Sequence, residues 1–222
     1  MTGKSPNLMR KINKTIVLST KYKEWQEDLE SRNIAHPLYT SAHRYYRDIV
    51  MELLRCQGGL CAYTEVQLCA SSDFAEDKWS DGCYMQIEKV NDGELEHFNE
   101  ALKDRQGYLW SNLFVVQSDT NRRKGVKPVD DILRPDSVRY DPFQLLDYSS
   151  LTGMYTARTN LPENERTRID TMLDTLGINF PNLRNKRHLK VQAAIRYGVE
   201  AIEPEFPTAI EFINRRDTDV VL

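Results

Sequence analysis

Residues 84–125 constrain the fold most, because extended structure is readable there only in short pieces. Tyr84-Met85-Gln86-Ile87-Glu88-Lys89-Val90 alternates residue by residue, the period of a strand with two unlike faces. Asn91-Asp92-Gly93 carries the Asp-Gly signal for a tight reversal, so Glu94-Leu95-Glu96-His97-Phe98 is expected to return beside that piece or to open the next strand. Tyr108-Leu109-Trp110 and Leu113-Phe114-Val115-Val116 form a second apolar cluster, and Asp119 or Thr120 is suited to cap a short helix after it. The order is strand to turn to helix.

Around this centre the apolar spacing is helical. Residues 22–33 and 37–57 read as helices, the second with Ala42, Tyr45, Ile49, Val50, Leu53 and Leu54 on one face and Gly58-Gly59 as its stop. Residues 69–82 are acidic and polar and read as a loop, and residues 127–142, with Pro128, Pro135 and Pro142, as a connecting segment. Helices resume at 163–176, with Ile169, Met172, Leu173 and Leu176 as the stripe, and at 183–202, with Leu189, Val191, Ala194, Ile195 and Ile202 as the buried face. The expected class is α+β, a small core of strands in a mainly helical chain. At 222 residues one compact domain is expected, in three stretches: N-terminal helices to 57, a core over 58–127, and a connecting segment with C-terminal helices from 128 to 222.

Composition narrows the function. A hydrophobic fraction of 40% and a charged fraction of 28% are those of a globular chain, and no run is long enough to cross a bilayer. Thr2-Gly3-Lys4-Ser5-Pro6-Asn7 is polar and does not read as a signal peptide, so a cytoplasmic location is expected. Cys56, Cys61, Cys69 and Cys83 show no C-x-x-C spacing and read as structural thiols. A net charge of −3 argues against binding nucleic acid over the whole surface, since phosphate affinity needs clustered cations; any such contact must be a local patch.

Three features converge within a short stretch: Glu96-His97, Asn112, and Asn121 followed by Arg122-Arg123-Lys124-Gly125. Each alone is weak, since a histidine is usually structural, an asparagine usually a cap, and Arg-Arg-Lys usually a solvated face. Together they supply what phosphodiester hydrolysis needs. An imidazole near neutrality can deprotonate water, oxygen ligands suit a hard divalent cation, and Arg and Lys neutralise flanking phosphates. Adjacent strand residues point to opposite faces, so Glu96 and His97 can serve one site only at a strand end or bend.

Gly59-Leu60-Cys61-Ala62-Tyr63, Glu94-Leu95-Glu96-His97-Phe98, Trp110-Ser111-Asn112-Leu113-Phe114 and Thr120-Asn121-Arg122-Arg123-Lys124-Gly125, in that order, resemble the HNH (ββα-metal) endonuclease family. The resemblance is to the subfamily found beside an ATPase in Septu-type and retron-associated anti-phage defence, and it extends over about residues 45–190 through Leu133-Arg134-Pro135-Asp136 and Asp141-Pro142. It implies a ββα-metal core, with His97 as the base, Glu96 and Asn121 as ligands of a Mg²⁺ or Mn²⁺ ion, and Asn112 as the brace of the histidine loop. Arg122, Arg123 and Lys124 would then contact phosphate. It also implies a nucleic-acid substrate, DNA favoured, and an ATPase partner. Many relatives hold a structural zinc with two C-x-x-C pairs. The corresponding positions here are Cys61 with Thr64 and Gln117 with Thr120, so no structural zinc is expected and packing by Tyr63, Trp110, Leu113 and Phe114 must replace it.

Two other classes compete. A non-catalytic interaction subunit could retain a ββα core after losing its thiols. A cysteine hydrolase could use Cys61, Cys69 or Cys83, although none lies in a recognisable nucleophile context. His36, His43 and His188 read as helix or loop residues.

Overall fold

The protein is described by a computed structural model over residues 11–199 and 205–219. It is α+β, with short two-stranded sheets among helices. Where one domain was expected, the chain divides into two compact units, one of Asn13–Ala62 with Gln67–Val129, the other of residues 11–12 and Tyr63–Val66 with the described residues from Asp130 onward. The boundary after Val129 lies close to the end of the expected core stretch, next to Pro128.

The first unit is built on α1 (Thr20–Ser31), α2 (Tyr46–Cys56), β1 (Trp79–Ser80), β2 (Cys83–Tyr84), β3 (Gly93–His97), α3 (Lys103–Gln106), β4 (Leu113–Gln117) and α4 (Ser118–Lys124). β3 and β4 pair antiparallel from Gly93↔Gln117 to His97↔Leu113, and α4 follows β4 without a break. The other edge of β4 is covered as well. The Gln57 side chain accepts from Val115 N at 2.8 Å and donates to Val115 O at 2.8 Å, imitating a strand neighbour, and Ala62 N also reaches Val115 O. Leu113, Phe114, Val115 and Val116 are all buried, and β4 packs against α2, whose Ile49, Leu53 and Leu54 are buried as well. Each such side chain contributes about 1.5–3 kcal/mol of hydrophobic stabilisation. Gly93 is required at the start of β3, because a Cβ there would strike the Val115 side chain.

Two expectations are corrected in this unit. Residues 37–45 do not join α2: Pro37 lacks an amide hydrogen, Thr40 N bonds the Tyr108 hydroxyl, and the Thr40 hydroxyl accepts from Ala42 N, so side chains take the place of a helical ladder. The alternating run after Tyr84 is not a strand beyond β2. Met85 N bonds Lys78 O and Arg47 bonds Gln86 O, while Met85 and Ile87 remain exposed, so the alternation buries no face. The partner of β3 is β4, fifteen or more residues along, which local turn chemistry could not reveal.

The second unit contains α5 (Pro142–Leu145), the hairpin of β5 (Leu146–Ser149) and β6 (Met154–Ala157), α6 (Glu163–Thr175), α7 (Pro181–Tyr197) and α8 (Pro207–Asp219). Tyr148, Tyr155 and Phe212 pack together, and buried Arg187 donates to Gly153 O and Ile178 O while its guanidinium faces the Tyr155 ring. The stripe of α6 is buried as its spacing predicts. On α7 only part of the expected face is covered. Val191 and Ala194 are buried, Leu189 and Ile195 are 67% and 56% exposed, and Ile202 lies outside the described residues. The helix ends at Gly198, and no described helix is long and apolar enough to cross a membrane.

Candidate active site

The residues singled out in the sequence fall around the end of β3 and along α4, all within the first unit. His97 is the last residue of β3, which meets the requirement for a strand end. Its Nε2 lies 2.8 Å from Gly107 O. A carbonyl only accepts, so Nε2 carries the proton and Nδ1 of the neutral ring carries the lone pair. Gly107 is itself constrained: a Cβ would crowd Lys103 O and Tyr39, displacing the carbonyl that fixes the tautomer. The Tyr39 ring stands edge-on to the imidazole at 4.7 Å, and the histidine is only 3% exposed. Burial pushes its pKa below the usual imidazole value. The Gly107 bond and Glu100 oppose that shift, and Lys103 and Lys124 add to it.

Asn112 has the geometry that bracing requires. Its side chain accepts from Asn99 N at 2.8 Å and donates to Asn99 O at 3.0 Å, while its carbonyl takes the Phe98 amide. The chain leaving His97 is thereby tied to the segment entering β4.

Glu96 and Asn121 fall into separate clusters. Glu96 is 1% exposed, and its Oε1 lies 2.6 Å from Lys124 Nζ, which also donates to His97 O at 2.8 Å. Asn121 Nδ2 instead donates to Glu94 Oε2 at 3.1 Å, and Ser118 donates to Glu94 Oε1 at 2.7 Å. These hydrogen bonds, with the charges of Lys89 and Arg122, hold the Glu94 carboxyl below its usual range against partial burial. Two expectations change as a result. Lys124 does not face phosphate, because it is a buried internal cation. Glu96 is not placed beside Asn121, because its carboxylate is buried against the Lys124 ammonium, and the carboxylate that Asn121 meets is Glu94. Arg122 and Arg123 are exposed, Arg122 beside Asp119 at 3.3 Å.

Glu94, Ser118, Tyr39 and Gly107 are the participants that the sequence reading did not assign. Glu94 had a signal, since residues 94 and 96 share a face of the strand by alternation. The others had none, because only the fold brings them to residues 94 and 97. Among the described residues no three His, Cys, Asp or Glu side chains converge as a metal cluster. The one carboxylate and one amide at Glu94 and Asn121 nevertheless suit a hard cation that keeps several waters. Cys61 Sγ accepts from Gln117 N at 3.5 Å, and neither Cys56 nor Cys69 is activated: burial raises their thiols to about 11 and about 12.

His36 and His43 flank Tyr108 in an aromatic cluster with Trp25, and burial is the largest cause of a lowered pKa in both, as in His97. A histidine depressed below its unfolded value, about 6.5, gives stability that is complete above that value and lost as pH falls toward the folded one. Tm is expected to drop as pH falls below about 6.5. A Tm that stays level or rises as pH falls there contradicts the assignment.

No protein-family model matches the chain, and no curated protein matches it.

Proposed function

We propose that this protein is a metal-dependent HNH endonuclease that hydrolyses phosphodiester bonds of nucleic acid, DNA favoured, with His97 as general base. One observation carries the reading: at the end of a strand followed through its partner by a helix, the imidazole is held by Gly107 O with the Nδ1 lone pair available. In this reading Nδ1 takes a proton from water as the new bond to phosphorus forms. The bond from phosphorus to the leaving sugar oxygen breaks, and that oxygen takes a proton from solvent. Asn112 keeps the ring in register through Asn99, and Arg122 and Arg123 neutralise neighbouring phosphates. Glu94 and Asn121 would hold the Mg²⁺ or Mn²⁺ ion. When bound there, the ion supplies charge stabilisation for the phosphate and the departing oxygen. Substrate entry requires the groups packed around the buried imidazole, the edge-on Tyr39 ring among them, to yield.

The net charge of −3 supports a subunit that receives its substrate from a partner, and the resemblance suggests an ATPase of an anti-phage defence complex for that role. The burial of His97 and the Glu96–Lys124 pair favour one alternative, a non-catalytic subunit of such a complex in which the same groups are structural. Incubation with single- and double-stranded DNA and with RNA separates the two. Cleavage is expected with Mg²⁺ or Mn²⁺, to stop with EDTA and to return with excess metal. No cleavage of any of these substrates with either ion leaves the non-catalytic reading.

A further inference from the structure

A cavity of about 780 Å³ opens between the residues leading into α2 and the segment that joins β2 to β3. Val50 and Met51, both buried in α2, contribute apolar surface, and Tyr46 adds an aromatic ring. Arg44, Arg47 and Lys89 line it as well, all exposed. Among the carboxylates along it, Asp48 is buried and accepts the Tyr84 amide, and Glu94 faces Asn121, which leaves Glu88 against the three cations. Glu94 is where the cavity meets the candidate active site. The charges of Lys89, which lines the cavity, and of Arg122, on the helix that carries Asn121, both act on its carboxylate, so cations from both places lie near the Glu94–Asn121 pair.

We propose that this cavity takes an unpaired nucleotide of the strand being cut, so that the substrate is single-stranded or locally opened nucleic acid. The proposal rests on the phosphodiesterase reading and adds the substrate's form to it. The volume lies within the roughly 300–1,000 Å³ of sites for small organic ligands, the scale of a base with its sugar. A base paired and stacked within a duplex cannot enter without being extruded. Apolar and aromatic surface below a cationic rim is how sequence-tolerant single-strand sites work: the face of the base packs inside while backbone phosphates follow the cations. Phosphates tracking from Arg44, Arg47 and Lys89 toward Arg122 would pass Glu94 and Asn121, where the proposed ion screens the carboxylate.

The test is fluorescence anisotropy of a labelled single-stranded oligodeoxynucleotide and of its duplex, with the full-length His97→Ala chain and Mn²⁺ present. The single strand is expected to bind at least about tenfold more tightly than the duplex. Arg44→Glu/Arg47→Glu/Lys89→Glu should weaken it by about tenfold or more and lower the slope of log affinity against log salt by roughly 2, as expected for three lost phosphate contacts on a single strand. Ala42→Trp, which obstructs the cavity without changing charge, should also weaken binding, and melting curves check that each variant folds. Equal or tighter duplex binding, or unchanged affinity in both folded variants, overturns the proposal. Single-strand binding through this cavity by a wild-type chain that cuts nothing upholds the cavity as a single-strand site and removes the catalytic reading, and with it the claim that the bound strand is the one cut.

Discussion

Replacing His97 by alanine is expected to lower metal-dependent phosphodiester cleavage by about 10²–10⁴-fold, the usual contribution of a positioned base. The expectation rests on the tautomer: with Nε2 committed to Gly107 O, the ring presents a lone pair at Nδ1. Binding of nucleic acid should change little, because the cations that meet phosphate lie elsewhere, so the loss should appear in kcat more than in KM. The lowered pKa of His97 keeps the base neutral through mildly acid conditions, so the acid limb of the wild-type pH profile should fall below about 6.5 and vanish in the variant. A structural histidine would give a different pattern, with a lowered Tm and activity recovered on cooling. Equal rates in folded wild-type and variant chains would remove His97 from the chemistry.

The largest expected effect on stability comes from Lys124→Met. Its ammonium is buried with the Glu96 carboxylate at 2.6 Å and also holds the carbonyl that ends β3. Removing the cation strands a charge in the interior, which costs about 3–5 kcal/mol. For a chain of this size that corresponds to a Tm lower by roughly 6–20 °C. Glu96→Gln should destabilise for the mirror reason. The double replacement should recover a good part of the loss, because neither charge is then buried alone. If each single variant melts within about 1 °C of wild type, the pair is not the tie between β3 and α4 that its geometry indicates.

The sequence carried the parts of this molecule whose signals are local. Ile169, Met172, Leu173 and Leu176 announced α6 by spacing alone, and the apolar run Leu113–Val116 marked a buried segment with a short helix soon after it, although α4 starts at Ser118 with Gln117, not Asp119 or Thr120, at its cap. Signals failed where distant residues decide. β3 pairs with β4 across the whole segment between them, and the Asp92-Gly93 dipeptide serves another purpose: Asp92 N bonds Leu68 O and the Asn91 side chain accepts from Gly93 N. Helical spacing in 37–57 gave way to turns before Tyr46, where the Tyr108 hydroxyl captures Thr40 N.

The candidate site divides along the same line. His97, Asn112 and Asn121 were legible as residue types in order, and the structure gives each a specific partner. Which carboxylate stands beside Asn121 was not legible, since Glu94 and Glu96 alternate on one face and differ only in burial. Lys124 looked like its exposed arginine neighbours but sits on the inward side of a seven-residue helix.

The most direct test of the central claim is a crystal structure of the chain with Mn²⁺ and an uncleavable phosphorothioate oligonucleotide. One ion should lie between the Glu94 carboxylate and the Asn121 amide oxygen, at about 2–2.5 Å from each. Tyr39 should be displaced, with a water between His97 Nδ1 and the scissile phosphorus. An oligonucleotide bound away from β3 and α4, or a His97 ring still packed beside Tyr39 with no ion at Glu94, would contradict it.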